Sequence, residues 1–130
     1  GDNKRKKVLA DMSSCYKELG QWTVARRYAR RSLNIDPKFG LGLIAMGEIY
    51  EAAAEKCVSE RPDNKPTFDD KLVYEMAANY YRRARQDLTY RQEAERRLSY
   101  VEVLVPTQED RFFNKGKTKP TDPCYDWIGS

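Results

Sequence analysis

Histidine is missing from all 130 residues of this chain, and that absence excludes more than any single residue present. No imidazole is available to move protons near neutral pH, to serve a Ser or Cys relay, or to ligate zinc. Glycine and proline are scarce, at seven and six residues, and 34% of the chain is charged, a balance that points to exposed helices and away from a sandwich or a disordered segment. No apolar run approaches the roughly 20 residues that a membrane-crossing helix needs. The three cysteines, Cys15, Cys57 and Cys124, stand at unrelated spacings that form neither a metal motif nor a disulfide framework. One bridge plus one thiol, or three thiols, fit the text equally. Lys and Arg number 24 against 20 Asp and Glu, a modest excess. Carboxylate-only catalysis has nothing specific to support it, so the expectation is a chain that is not an enzyme, with no cofactor and no metal.

What is present is a pattern that occurs twice. Residues 20–37 read Gly20-Gln-Trp22, then Ala25, Ala29, Ser32 and Pro37. Residues 47–89 read Gly47 and Tyr50, then, after an interruption, Ala77, Tyr81, Ala84 and Thr89. Small residues at these spacings let two antiparallel helices approach closely, and stacked pairs make a solenoid. The fold class expected is therefore all-α: a right-handed α-α superhelix of about five helices plus a short C-terminal helix and an extended tail.

The apolar stripes place the helices. Residues 4–18 set Val8, Leu9, Met12, Cys15, Tyr16 and Leu19 at helical spacing, and Gly20 supplies the turn. A second helix runs from about Trp22 to Asn34, ended by Asp36-Pro37 because the residue before proline is disfavoured in the α region. A third begins near Lys38 or Phe39 and reaches Cys57. The Pro62–Pro66 stretch is a loop by composition, and Thr67 with Asp70 forms a capping box for a fourth helix, about Phe68 to Asp87 with Leu88 inward. A fifth spans about 91–104, and Thr107 caps a short helix over 108–113. The domain is thus 1–113, with repeats over about 6–39 and 40–91, an insertion near 58–68, and a tail, 114–130, whose aromatics dock on the last helices.

Set on Pro37, these positions resemble the tetratricopeptide repeat, a unit of about 34 residues. Leu9, Met12, Ser13, Tyr16, Gly20, Ala25, Ala29 and Ser32 fall on its signature in the first copy, and Leu43, Met46, Gly47, Tyr50, Ala77, Tyr81 and Ala84 in the second. Only Leu98 survives of a third, which reads as a capping helix. The surplus between Tyr50 and Ala77 implies a second helical hairpin that projects beyond the first. The end of the chain, Pro106, Thr107, Glu109, Asp110, Phe112, Phe113 and later Trp127-Ile128, is similar to that of bacterial tetratricopeptide proteins, often exported. That resemblance implies an exported or periplasmic module, with a cytoplasmic one left open. Gly1 before Asp-Asn-Lys-Arg-Lys-Lys reads as a trimmed start, so the lack of a signal peptide fixes no compartment.

In that family the first helix of each pair lines the concave face. Carried over by position, the partner groove holds Lys7, Ala10, Ser14 and Lys17, then Leu41, Ile44, Glu48 and Glu51, and on the capping helix Glu93, Arg96, Tyr100 and Val103. The resemblance implies binding of a peptide or protein of unknown identity there; the bland alternative is the exposed side of amphipathic helices. The Lys and Asn clamp some members use for a partner's terminal carboxylates is absent, with only Arg97 fitting. Arg26, Arg27, Arg30 and Arg31 form a cationic strip along the second helix, with Arg82, Arg83 and Arg85 on the fourth. Nucleic-acid binding along that strip is the second hypothesis, ranked lower because the net charge is only +4. The Asp69-Asp70 pair is explained by the helix dipole. A Cys57–Cys124 bridge is conceivable if the tail folds back in an oxidising compartment.

Overall fold

In the computed structural model, which describes residues 1–129, all regular structure is helical and no strand occurs among the described residues. The order is α1 (Asp2–Glu18), α2 (Trp22–Ile35), α3 (Gly40–Ser59), α4 (Phe68–Ala84) and α5 (Arg91–Val101), the last continued by a 3₁₀ turn (Glu102–Leu104). After these come α6 (Gln108–Phe113) and a closing 3₁₀ segment (Pro123–Ile128).

Local chemistry sets the boundaries. Gly20 takes φ +72° between α1 and α2, a left-handed backbone that favours glycine. Asp36 turns extended ahead of Pro37 and stops α2. Thr67 and Asp70 form a reciprocal capping box at the start of α4, and Thr107 and Asp110 another at α6. Two helix ends differ from expectation for one shared reason. The third helix starts at Gly40, with Phe39 extended at its N-cap, and the fourth stops at Ala84. Asp87, freed from α4, accepts the Gly40 amide at 2.7 Å and so satisfies an orphan donor of the neighbouring hairpin.

α1 packs on α2, α3 packs on α4, and α3 also lies against α1, α2 and α5. α3 is therefore central, and it is apolar round most of its circumference: Leu43, Ile44, Met46, Ile49 and Tyr50 all retain 2% exposure or less. Burying each of these side chains contributes about 1.5–3 kcal/mol. Small residues set the approach distance. Ser13, Ala25, Ala29, Ser32, Ala77 and Ala84 are all fully buried, and Gly47 lies flat under the Tyr81 ring, where a Cβ would come within 2.8 Å of Tyr81 Cδ1. Beside this seam Tyr80, Tyr50 and Trp127 stack in a column, with centroids 5.9 and 5.7 Å apart.

Several residues read as inward face water instead. Val8, Leu19 and Leu88 are 48%, 68% and 75% exposed, and Cys15 is an exposed free thiol. Leu19 and Leu88 belong to the turns after α1 and α4, where the helical stripe no longer dictates direction.

Residues beyond α6 return across the molecule, but they dock on α2, α3 and the start of α4, away from the last helices. Cys124 is bridged to Cys57 near the end of α3. Asp69 accepts the Thr121 and Asp122 amides at 3.0 and 2.8 Å and pairs with Lys117 at 2.7 Å. Asp70, fully buried, accepts from Tyr125 Oη at 2.6 Å and is gripped on both oxygens by Arg61, which also reaches Asp122 at 3.0 Å. The acidic pair is thus a clasp for the tail, beyond its favourable placement at a helix N-terminus.

Candidate functional site

Three helices that follow one another in alternate positions of the chain, α1, α3 and α5, supply a charged groove. Glu51, Glu55, Arg96, Arg97 and Tyr100 line its main part, a depression of about 430 Å³, and Lys17, Glu48 and Ala52 continue it toward α1. Helical periodicity explains the composition: Glu48, Glu51, Ala52 and Glu55 recur at i, i+3, i+4 and i+7, one face of α3. Arg96, Arg97 and Tyr100 occupy one face of α5 by the same rule.

The charges are mostly paired across helices. Glu48 Oε2 receives Lys17 Nζ at 3.0 Å and Arg97 Nη1 at 3.5 Å, so one carboxylate ties α1 to α5 through α3. Tyr81 Oη donates to Glu51 Oε1 at 2.6 Å, linking the groove floor to the Gly47 seam beneath it. Burial opposes the Lys17 charge, yet Glu18 and Glu48 outweigh it and hold the ammonium pKa above its usual value. Arg97 behaves alike, its burial cost outweighed first by Glu48. Glu55 moves the other way: burial, then the neighbouring Glu51 charge, push its carboxyl above the ordinary Glu range. The groove therefore offers exposed Glu55, Arg96 and Tyr100 at its mouth over Glu48 and Glu51, which Lys17, Arg97 and the Tyr81 hydroxyl hold from below. Such a surface presents hydrogen-bonding groups and charge.

Of the residues expected to line a partner groove, Lys17, Glu48, Glu51, Arg96 and Tyr100 are brought together. Lys7 is exposed and pairs along its own helix with Asp11 at 3.3 Å. Ser14, Leu41 and Glu93 are half-buried outside the lining, and Val103 lies 81% exposed beyond α5. Ile44 corrects the expectation outright. It is 0% exposed, and Ala10 only 1%, because the central α3 is enclosed by its neighbours along this stretch. Glu55 and the groove role of Arg97 were missed; the signal for Glu55 was its place one turn beyond Glu51.

The arginine strip is also altered. Arg27, Arg30 and Arg31 are exposed on α2, but Arg26 is 9% exposed and holds the tail, donating to the Ile128 and Trp127 carbonyls at 3.0 Å each and lying 5.1 Å over the Trp127 ring. Among the described residues no three His, Cys, Asp or Glu side chains gather as a metal site, and no helix is long and apolar enough to cross a membrane. Set against models of protein families, curated proteins and solved structures, the chain matches none of them.

Proposed function

We propose that this chain is a right-handed stack of helix pairs of the tetratricopeptide kind and serves as a non-enzymatic scaffold that holds a peptide or protein partner in the groove across α1, α3 and α5. Support for the repeat reading comes from the glycine-to-ring contact between Gly47 and Tyr81 and from the fully buried alanines that let consecutive hairpins share one seam. The single observation that carries the docking function is the groove itself. Its mouth presents Tyr100, 68% exposed, beside exposed Arg96, the residue types enriched where partners bind. Its floor is preorganised by ion pairs that need no rearrangement to receive a polar backbone or a charged side chain.

The Cys57–Cys124 bridge supports an oxidising, exported setting, since such bonds are rare where glutathione keeps thiols reduced. The groove is tested by an Arg96→Glu, Tyr100→Ala variant, both positions being exposed. Proteins retained from cell-envelope extract by the native chain are expected to be lost by the variant at unchanged melting temperature. Equal retention by both, or turnover of a small molecule by the native chain, contradicts the proposal.

A further inference from the structure

A second, independent site lies on the side of the molecule built by α2, α4 and the returning tail. Arg26, Arg30, Tyr50, Met76, Tyr80 and Lys119 line a pocket of about 360 Å³ there, bounded on one side by the tail. That volume falls within the roughly 300–1,000 Å³ typical of small-molecule sites. Its walls are aromatic and thioether surface, and its only charged side chains are three cations. None of the three is ion-paired among the described residues.

Arg26 makes the case specific. Three charged side chains are buried among the described residues: Asp69, Asp70 and Arg26. Asp69 pairs with Lys117 and Asp70 with Arg61, but Arg26 has no counter-ion among the described residues. Its contacts are neutral oxygens: the Ile128 and Trp127 carbonyls and, at 3.5 Å, the Tyr50 hydroxyl. Those acceptors use three of the five guanidinium N–H groups. Arg26 lines the pocket at 9% exposure, and its remaining N–H groups are left for a further acceptor. Arg83, stacked 5.1 Å over the Tyr80 ring, adds a fourth cation nearby.

We infer that this pocket binds a small organic acid, its carboxylate held among Arg26, Arg30 and Lys119 and its apolar body laid against Tyr50, Met76 and Tyr80. A bare inorganic anion leaves the apolar walls unused.

The test titrates the full oxidised chain with phenylacetate, the neutral phenylacetamide and inorganic phosphate, followed by calorimetry and by tryptophan fluorescence, because Trp127 lies directly against Arg26. Phenylacetate is expected to bind at least about tenfold more tightly than either other probe. Arg30→Glu with Lys119→Glu, both exposed positions that spare the fold, is expected to remove that preference at unchanged melting temperature. Met76→Trp, which fills the pocket, is expected to abolish binding of all three. No heat or fluorescence change with phenylacetate, equal affinity for acid and amide, equal affinity for phosphate, or a preference that survives the charge reversal overturns the inference.

Discussion

Replacing Gly47 with alanine sets two effects of opposite sign against each other. Alanine is favoured over glycine in a helix interior by about 1 kcal/mol. The added Cβ would lie 2.8 Å from Tyr81 Cδ1 and 2.9 Å from Cζ, with Cε1 nearer still. The ring cannot swing aside cheaply, because Tyr81 is fully buried and its hydroxyl is held by Glu51 at 2.6 Å. Overpacking against such a fixed group costs about 3 kcal/mol, the upper end of the usual range. The net expectation is a loss of about 2 kcal/mol, or about 7 °C in melting temperature for a domain of this size. Urea denaturation followed by far-UV circular dichroism measures it. In a Tyr81→Leu background the same alanine should be neutral or stabilising by up to about 1 kcal/mol. Stabilisation by alanine in the native background would mean that α3 and α4 do not meet at this point.

The tail gives two further expectations, and the carboxyls lowered on folding give a third. Reducing the Cys57–Cys124 bridge, which spans 67 residues, should lower stability by up to about 4 kcal/mol through loop entropy; an unchanged denaturation midpoint under reductant would contradict the bridge. Asp70→Asn should cost about 3 kcal/mol, since it weakens the partner of Arg61 and the acceptor of Tyr125 at a fully buried position, while Tyr125→Phe should cost about 1.5 kcal/mol; urea midpoints compare the two. Stability should fall as pH drops from about 4 toward 2. The Thr107 amide and Lys71 hold the Asp110 carboxyl down at about 2. Lys6 lowers Asp36, and at Asp69 the burial cost is outweighed by Lys117 and the tail amides. Carboxyls lowered on folding stabilise above their unfolded pKa and lose that contribution as protonation proceeds through the folded value. Asp110→Asn should flatten the acid limb of a melting-temperature profile, and an identical limb would rule out its role.

Helix positions were legible in the sequence wherever a local signal decided them: Gly20, Asp36-Pro37 and the Thr67–Asp70 box all act within a few residues of the boundary they set. Boundaries decided at a distance were not legible. The end of α4 depends on Asp87 capping Gly40 in the next hairpin, and nothing near Ala84 announces that. The groove residues on α3 and α5 followed from their positions in the repeat the chain resembles, but the same carry-over placed Ile44 on the open face, whereas it is fully buried on the central α3. Asp69 and Asp70 looked sufficient as helix-dipole partners, and Arg26 looked like one of four equivalent arginines. The tail groups they hold, the Asp122 amide, the Tyr125 hydroxyl and the Trp127 carbonyl, lie more than fifty residues ahead, a separation over which charge pattern carries no register. Cys57 and Cys124 left both pairing and free thiols open for the same reason.

The docking claim is tested most directly by placing a photo-reactive amino acid at Tyr100 in one sample and at Arg27 in another, then irradiating each oxidised chain in cell-envelope extract. A discrete covalent adduct is expected from the Tyr100 position, diminished by Arg96→Glu, and none from Arg27. Adducts from Arg27 alone, or equal labelling from both faces, would contradict a partner seated between α1, α3 and α5.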